Sequence, residues 1–505
     1  MRRREFLRTA AVGGGTATLL ASGGVTAQES QDPYRPLGTV AVEQAKEAVI
    51  GNDGKTAFVA ATDGFATVDI SDPENPTVLA ERRGLLADRD GGPLSQIWDA
   101  KIDRDRLLVA GPANPVSSDV VQGFLLYDVS DPSNPERVAF HETDYPIHNA
   151  MFVDGIAYLT ANDGNGNPLV MVDTSNDSPT EVGRWSMLDY DSAWSNVDSW
   201  VRSLHDVWVQ DGTAYLAQWD AGTWVVDVSN PKQPSHVAHF GGEPLDELSK
   251  IPDEGENDAI IGLPGNDHYV RANEDGSLVV VNKEAWATSE DSSGGNGPGG
   301  IVLWDVSDPQ NPAQLAEISA PKSADPTYDL QGPSLFHQSV LNQFSALSPV
   351  GVASAHGKCH DCTGDSAISG QWTTSHNFDV VGDRLYTSWY QGGVKLFDIS
   401  DPENPEELVW WRDPERTAFW TSQHVSDEFF VGGSMGMDGN GKGALYTFPN
   451  RAGEQENPPR LTAGGGGDTA KDESRTTSEQ PGFGFGATGV SVLGLAAWNR
   501  LRKRE

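Results

Sequence analysis

Short apolar runs punctuate this chain, and most of them end on an aspartate. FLLY precedes Asp128, PLVMV precedes Asp173, TWVV precedes Asp227, GIVLW precedes Asp305 and VKLF precedes Asp398. Runs this short, rich in β-branched and aromatic residues and apolar on both faces, predict strands covered on both sides. A turn signal follows each. D-[IV]-S-D-P-x-N-P occurs at 69–76, 128–135, 305–312 and 398–405, with looser copies from Asp173 (DTSNDSP) and Asp227 (DVSNPKQP). Pro fixes φ at the second turn position, and Asp or Asn bonds the local backbone. The second Pro then opens another extended segment.

Upstream of each run lies a further hairpin, clearest in the segment from His148 through Asp154-Gly155 to Leu159. The unit is therefore four antiparallel strands, A to D. The A strands are expected to begin near Glu47, Trp98, His148, His205, His268, His376 and His424, which makes seven units. The irregular spacing is taken up by insertions between D and A strands at about 184–204, 240–267 and 320–375. A strand at 37–42 precedes the first unit, while the last unit lacks a D strand. The expectation is an all-β, seven-bladed β-propeller of four-stranded blades over residues 36–450, closed by the N-terminal strand, because closure removes an edge open to aggregation. The apolar run ending in Asp, followed by S-D-P-x-N-P, resembles the LVIVD-repeat propeller family, seen also in choice-of-anchor proteins. That resemblance implies an exported, anchored propeller and no settled activity.

The formal charge is −38, from 73 acidic and 35 basic residues. Both ends are net positive, so the body between them is more acidic still. Such a field repels phosphate and argues against a nucleic-acid partner. With only 12 Lys, the bias resembles that of proteins from extreme halophiles.

The ends read as addresses. Arg3-Arg4-Glu5-Phe6-Leu7 resembles the twin-arginine export motif, within an expected signal peptide over 1–27 and ahead of a short leader at 28–35. Residues 451–480, rich in Gly, Ser, Thr and acid, are expected to form a flexible stalk. Pro481-Gly482-Phe483 opens an apolar, basic-ended segment over 481–505 that resembles the PGF-type archaeal sorting signal. These resemblances imply the twin-arginine translocase and an archaeosortase as processing partners, and a body tethered to the outer face of the membrane.

Five expected A strands open with His, and these account for five of the chain's 11 His. At the A-strand starts, His148, His205, His268, His376 and His424 would stand around one mouth of the channel. There they serve either as inter-blade hydrogen-bonding groups or as ligands of a divalent transition metal. The largest expected insertion adds His356, Cys359, His360 and Cys362, a C-x-x-C with flanking His. It suits either a small disulfide or a metal. Trp194 and Trp200 lie in another insertion, where packing is the expected role. N-D-G-N-G-N at 162–167 and D-G-N-G at 438–441 read as hairpin turns. No Ser–His–Asp elbow, P-loop or dinucleotide fingerprint is present, and no catalytic residue is assigned. The leading expectation is a surface binding module that uses its insertion-bearing face, toward a ligand or protein the sequence does not name. The alternative is a copper- or zinc-dependent extracellular enzyme of the oxidoreductase kind, with the histidine cluster at the channel mouth, by fold-level analogy with exported methanethiol oxidase-like propellers that bind copper through histidines.

Overall fold

A computed structural model of the chain describes residues 33–114, 119–252, 256–286, 297–323, 371–436 and 442–461. The export and sorting segments, the His356–Cys362 stretch and the D-G-N-G turn lie outside the described residues. Seven four-stranded antiparallel sheets form the structure. The first strand of each blade contacts the first strands of the two blades beside it, so these seven strands line the axis. Residues Gly38–Ala41 pair antiparallel with Ala444–Pro449, Gly38 opposite Thr447, and complete the seventh sheet. The ring thus closes as the strand count required.

The repeated turn builds itself from its own side chains. Asp69, Asp128, Asp173, Asp227, Asp305 and Asp398 each accept, through Oδ1, the backbone N–H of the Ser two residues on. In the fullest copies the second Asp does the same for the residue two further on, and Asn75, Asn311 and Asn404 donate side-chain amides to its carboxylate. These local bonds satisfy backbone donors at a strand end and fix the C-to-D hairpin.

The same turns stitch blades together. Thr67 of blade one donates its hydroxyl to Pro132 O of blade two at 2.6 Å. Thr447 of blade seven donates to Pro73 O of blade one at 2.6 Å. At Gly183 a Cβ would stand 2.0 Å from Pro231 O, so only glycine admits the neighbouring turn there.

Chain alternation puts the D-to-A and B-to-C connections on one face and the A-to-B and C-to-D turns on the other. The first face carries the insertions. Residues 186–205 hold short helices at Met187–Tyr190 and Ser192–Asn196, and residues 241–266 hold Leu245–Leu248 and Glu256–Ile261. Trp194 is buried against Trp224, with ring centroids 5.6 Å apart, so it packs the insertion as expected. The packed chain also runs beyond the expected propeller limits. Tyr34 is buried and donates its hydroxyl to Pro449 O, and Gln455 exchanges hydrogen bonds with the Arg412 backbone. Among the described residues no helix is long and apolar enough to cross a membrane.

Candidate functional site

The mouth of the channel, on the insertion face, is encircled by one side chain from each blade. In blade order these are Lys46, Trp98, His148, His205, His268, His376 and Trp420. Centroid separations are 5.8 Å for Trp98–His148, 4.0 Å for His148–His205 and 4.1 Å for His205–His268. The circuit continues at 4.5 Å for His268–His376, 4.2 Å for His376–Trp420 and 5.6 Å for Trp420–Trp98. Lys46 Nζ lies over the two indoles, 5.6 Å from Trp98 and 4.7 Å from Trp420. At Lys46, His148, His268 and Trp420 the A-to-B pairing shifts register around the ring residue. A bulge re-aims a side chain, and here it turns that position toward the axis.

The arc is asymmetric. The four His come from consecutive blades, three to six, and are buried, whereas Trp98 and Trp420 are half-buried. The three long insertions are the connections between those same blades. His424 does not join the ring. It ends the strand Phe419–His424, packs at a tilt against Tyr386 with centroids 5.4 Å apart, and its backbone N–H donates to Asp379 Oδ2. The strand begins at Phe419, five residues before the position expected from the His spacing, so the ring register falls on Trp420. The same applies at blade one, where Lys46 rather than Glu47 faces the mouth.

Three of the ring His are held alike. His148 Nδ1 meets Ala113 O at 3.1 Å, His205 Nδ1 meets His268 O at 3.1 Å, and His376 Nδ1 meets Trp420 O at 2.6 Å. A carbonyl only accepts, so Nδ1 carries the proton and Nε2 keeps its lone pair. Burial pushes His148 down to about 4 and holds His205, His268 and His376 well below the ordinary histidine value, so all four are neutral near pH 7.

The B-to-C turns add groups that the repeat pattern did not reveal. Glu284, from the turn after Leu278–Lys283, sets Oε2 3.2 Å from His268 Nε2 and Oε1 3.6 Å from His376 Nε2. Tyr390 donates its hydroxyl to Glu284 Oε1 at 2.6 Å. Burial raises Glu284 to about 8, with the Tyr390 bond acting the other way. Trp219 packs on His205 at 4.9 Å and donates Nε1–H to Ile260 O in the insertion. Trp219 and Tyr390 occupy equivalent turns, both with positive φ (50° and 43°), and each bridges to the A strand of the next blade. Aromatic residues in this region of φ are strained, and such strain gathers where a scaffold over-determines a site. Tyr390 also joins Ile261, Trp286, Trp372, Trp420 and Met435 in one apolar cluster.

Behind the ring, each A strand continues with a mainly polar residue, including Glu47, Asp99, Asn149, Asp206, Asn377 and Thr421. Asp99 Oδ2 accepts Ala150 N–H, and Asp206 Oδ2 accepts Val270 N–H, each from the next blade. Lys101 pairs with Asp99. Burial opposes its charge, but Asp99 and Glu47 outweigh burial and hold it protonated.

Sequence reasoning thus found four of the seven ring positions as His and missed Lys46, Trp420, Glu284, Tyr390 and Trp219. The turn-forming pairs QWDAGT at 218–223 and WYQGGV at 389–394 were the available signal.

A family model described as LVIVD repeat matches residues 52–81 and 202–240. No curated protein matches. Among solved structures, the Cps50 (Swd1) β-propeller domain of Myceliophteria thermophila aligns at TM-score 0.47 and 10% identity, over 83% of this chain and 99% of that one. A hypothetical selenium-binding protein from Sulfolobus tokodaii aligns at TM-score 0.44 and 12% identity, over 79% and 84%. A computationally designed protein, Ika8, aligns at 0.42 and 9%, over 81% and 95%. The chain is a repeat β-propeller, two segments of which match the LVIVD repeat.

Proposed function

We propose that this protein is an exported, surface-tethered binding module that meets its ligand or protein partner at the insertion-bearing mouth of the propeller. One observation carries the reading. The buried His arc, the strained aromatic turns and the long insertions all fall on blades three to six of one face, while the opposite face carries short self-bonded turns. Binding sites concentrate where variable loops gather over a rigid scaffold. The half-buried Trp372 and Trp420 offer aromatic area at the rim. Tethering and export are supported by the sequence features of the two ends.

The test is a glycan and peptide array probed with the full chain in molar salt, wild type beside Trp372→Ala and Asp72→Ala. Hits lost in Trp372→Ala and kept in Asp72→Ala, a change on the opposite face, are expected. Hits insensitive to Trp372→Ala and lost with Asp72→Ala contradict the reading.

A further inference from the structure

The structure assigns, we infer, a binding site for one borderline transition dication such as Zn²⁺ or Cu²⁺ at the mouth, with His205, His268 and Glu284 as ligands and His376 beside them. The ligand atoms of His205, His268 and Glu284 lie within 4.8 Å of one another, and all three residues are buried. In a tetrahedral shell, metal–ligand bonds of about 2.1 Å set ligand atoms about 3.4 Å apart, so the set closes on an ion when its side chains draw together by up to about 1.4 Å.

Two further observations point to a ligand. His205 Nε2 is buried and has no hydrogen-bond partner among the described residues. A buried polar atom left alone forfeits its hydration, and a metal bond to its lone pair removes that cost. The outer partners are also those a metal site uses. His205 donates Nδ1–H to a backbone carbonyl, which fixes the tautomer and directs Nε2 as the ligand atom, and Tyr390 orients the Glu284 carboxylate. Two imidazoles and one carboxylate suit zinc or copper and do not suit magnesium or calcium, which prefer all-oxygen shells.

The site is independent of the display reading, because the array result does not depend on an ion at His205. The experiment strips the full chain with a chelator in molar salt and adds CoCl₂ or ZnCl₂ against excess MgCl₂. Metal content is then measured after gel filtration, together with the Co²⁺ visible spectrum. One ion per chain is expected, with ligand-field bands and no thiolate charge-transfer band. Tyr390→Phe should weaken Zn²⁺ binding by about 10- to 100-fold, and Glu284→Gln, which removes a ligand, by at least as much. Cys359→Ser/Cys362→Ser should leave it unchanged, as should His236→Gln/His239→Gln, which removes a surface pair in which His236 Nε2 meets His239 Nδ1 at 3.0 Å. If His205→Asn does not fold, Glu284→Gln, which keeps the side-chain shape, decides alone. Binding that Mg²⁺ displaces, affinity insensitive to Glu284→Gln, or affinity lost only in the cysteine variant each overturns the assignment.

Discussion

Glu47 shows how the polar tier behind the ring is held. Its carboxylate accepts Thr421 Oγ1–H at 2.8 Å and a hydrogen bond from Asn377. Burial raises it to about 7, against the opposing charge of Lys101. Its folded value exceeds its unfolded value near 4.5, so the stability it contributes is complete below about pH 4.5 and is lost as pH rises to about 7. Glu47→Gln removes that slope. Relative to wild type, the variant should gain up to about 1.4 kcal/mol per pH unit across this window in denaturant titrations. A difference that does not change with pH contradicts the assignment. Gly393 is a second residue with a definite expectation. Its φ is +91°, and an added Cβ would stand 2.0 Å from Trp411 O, so Gly393→Ala should cost about 3 kcal/mol or more, read from the unfolding midpoint. Legibility differed sharply at this scale. His148, His205, His268 and His376 stood out because His is rare here and recurs at strand starts. Glu284 and Tyr390 did not, because B-to-C turns share backbone geometry rather than residues.

At the scale of elements, the closing strand tests the ring. Gly38–Ala41 supplies the outer partner of Ala444–Pro449, and Thr447 Oγ1 also reaches Pro73 O of blade one. Removing residues 33–41 leaves that edge unpaired and uncovers the Tyr34 pocket. The truncated chain should self-associate in light-scattering chromatography and unfold at lower denaturant. A monodisperse chain with an unchanged midpoint counts against closure as a source of stability. Blade number, strand order and closure were all readable, because turn chemistry repeats with the fold. Strand starts were less so. An Asp413-Pro414 turn stands just ahead of the strand from Phe419, but the His spacing drew the expected start five residues too far along, to His424.

For the whole molecule, the net charge of −38 sets the conditions of folding. Screening shortens the reach of repulsion from about 10 Å at 0.1 M salt to about 3 Å at 1 M. Thermal stability should therefore climb steeply with KCl across that range, and a melting temperature independent of salt would contradict the acidic-shell account. The same molecule has two unequal faces, and the His arc, the long insertions and the proposed ion site all lie on one. Anomalous diffraction at the zinc edge, from crystals of the full chain grown with ZnCl₂, tests this most directly. The expected result is one dominant peak between His205, His268 and Glu284 that is absent in Glu284→Gln crystals. Peaks only on surface carboxylates, with none at the mouth, would contradict it.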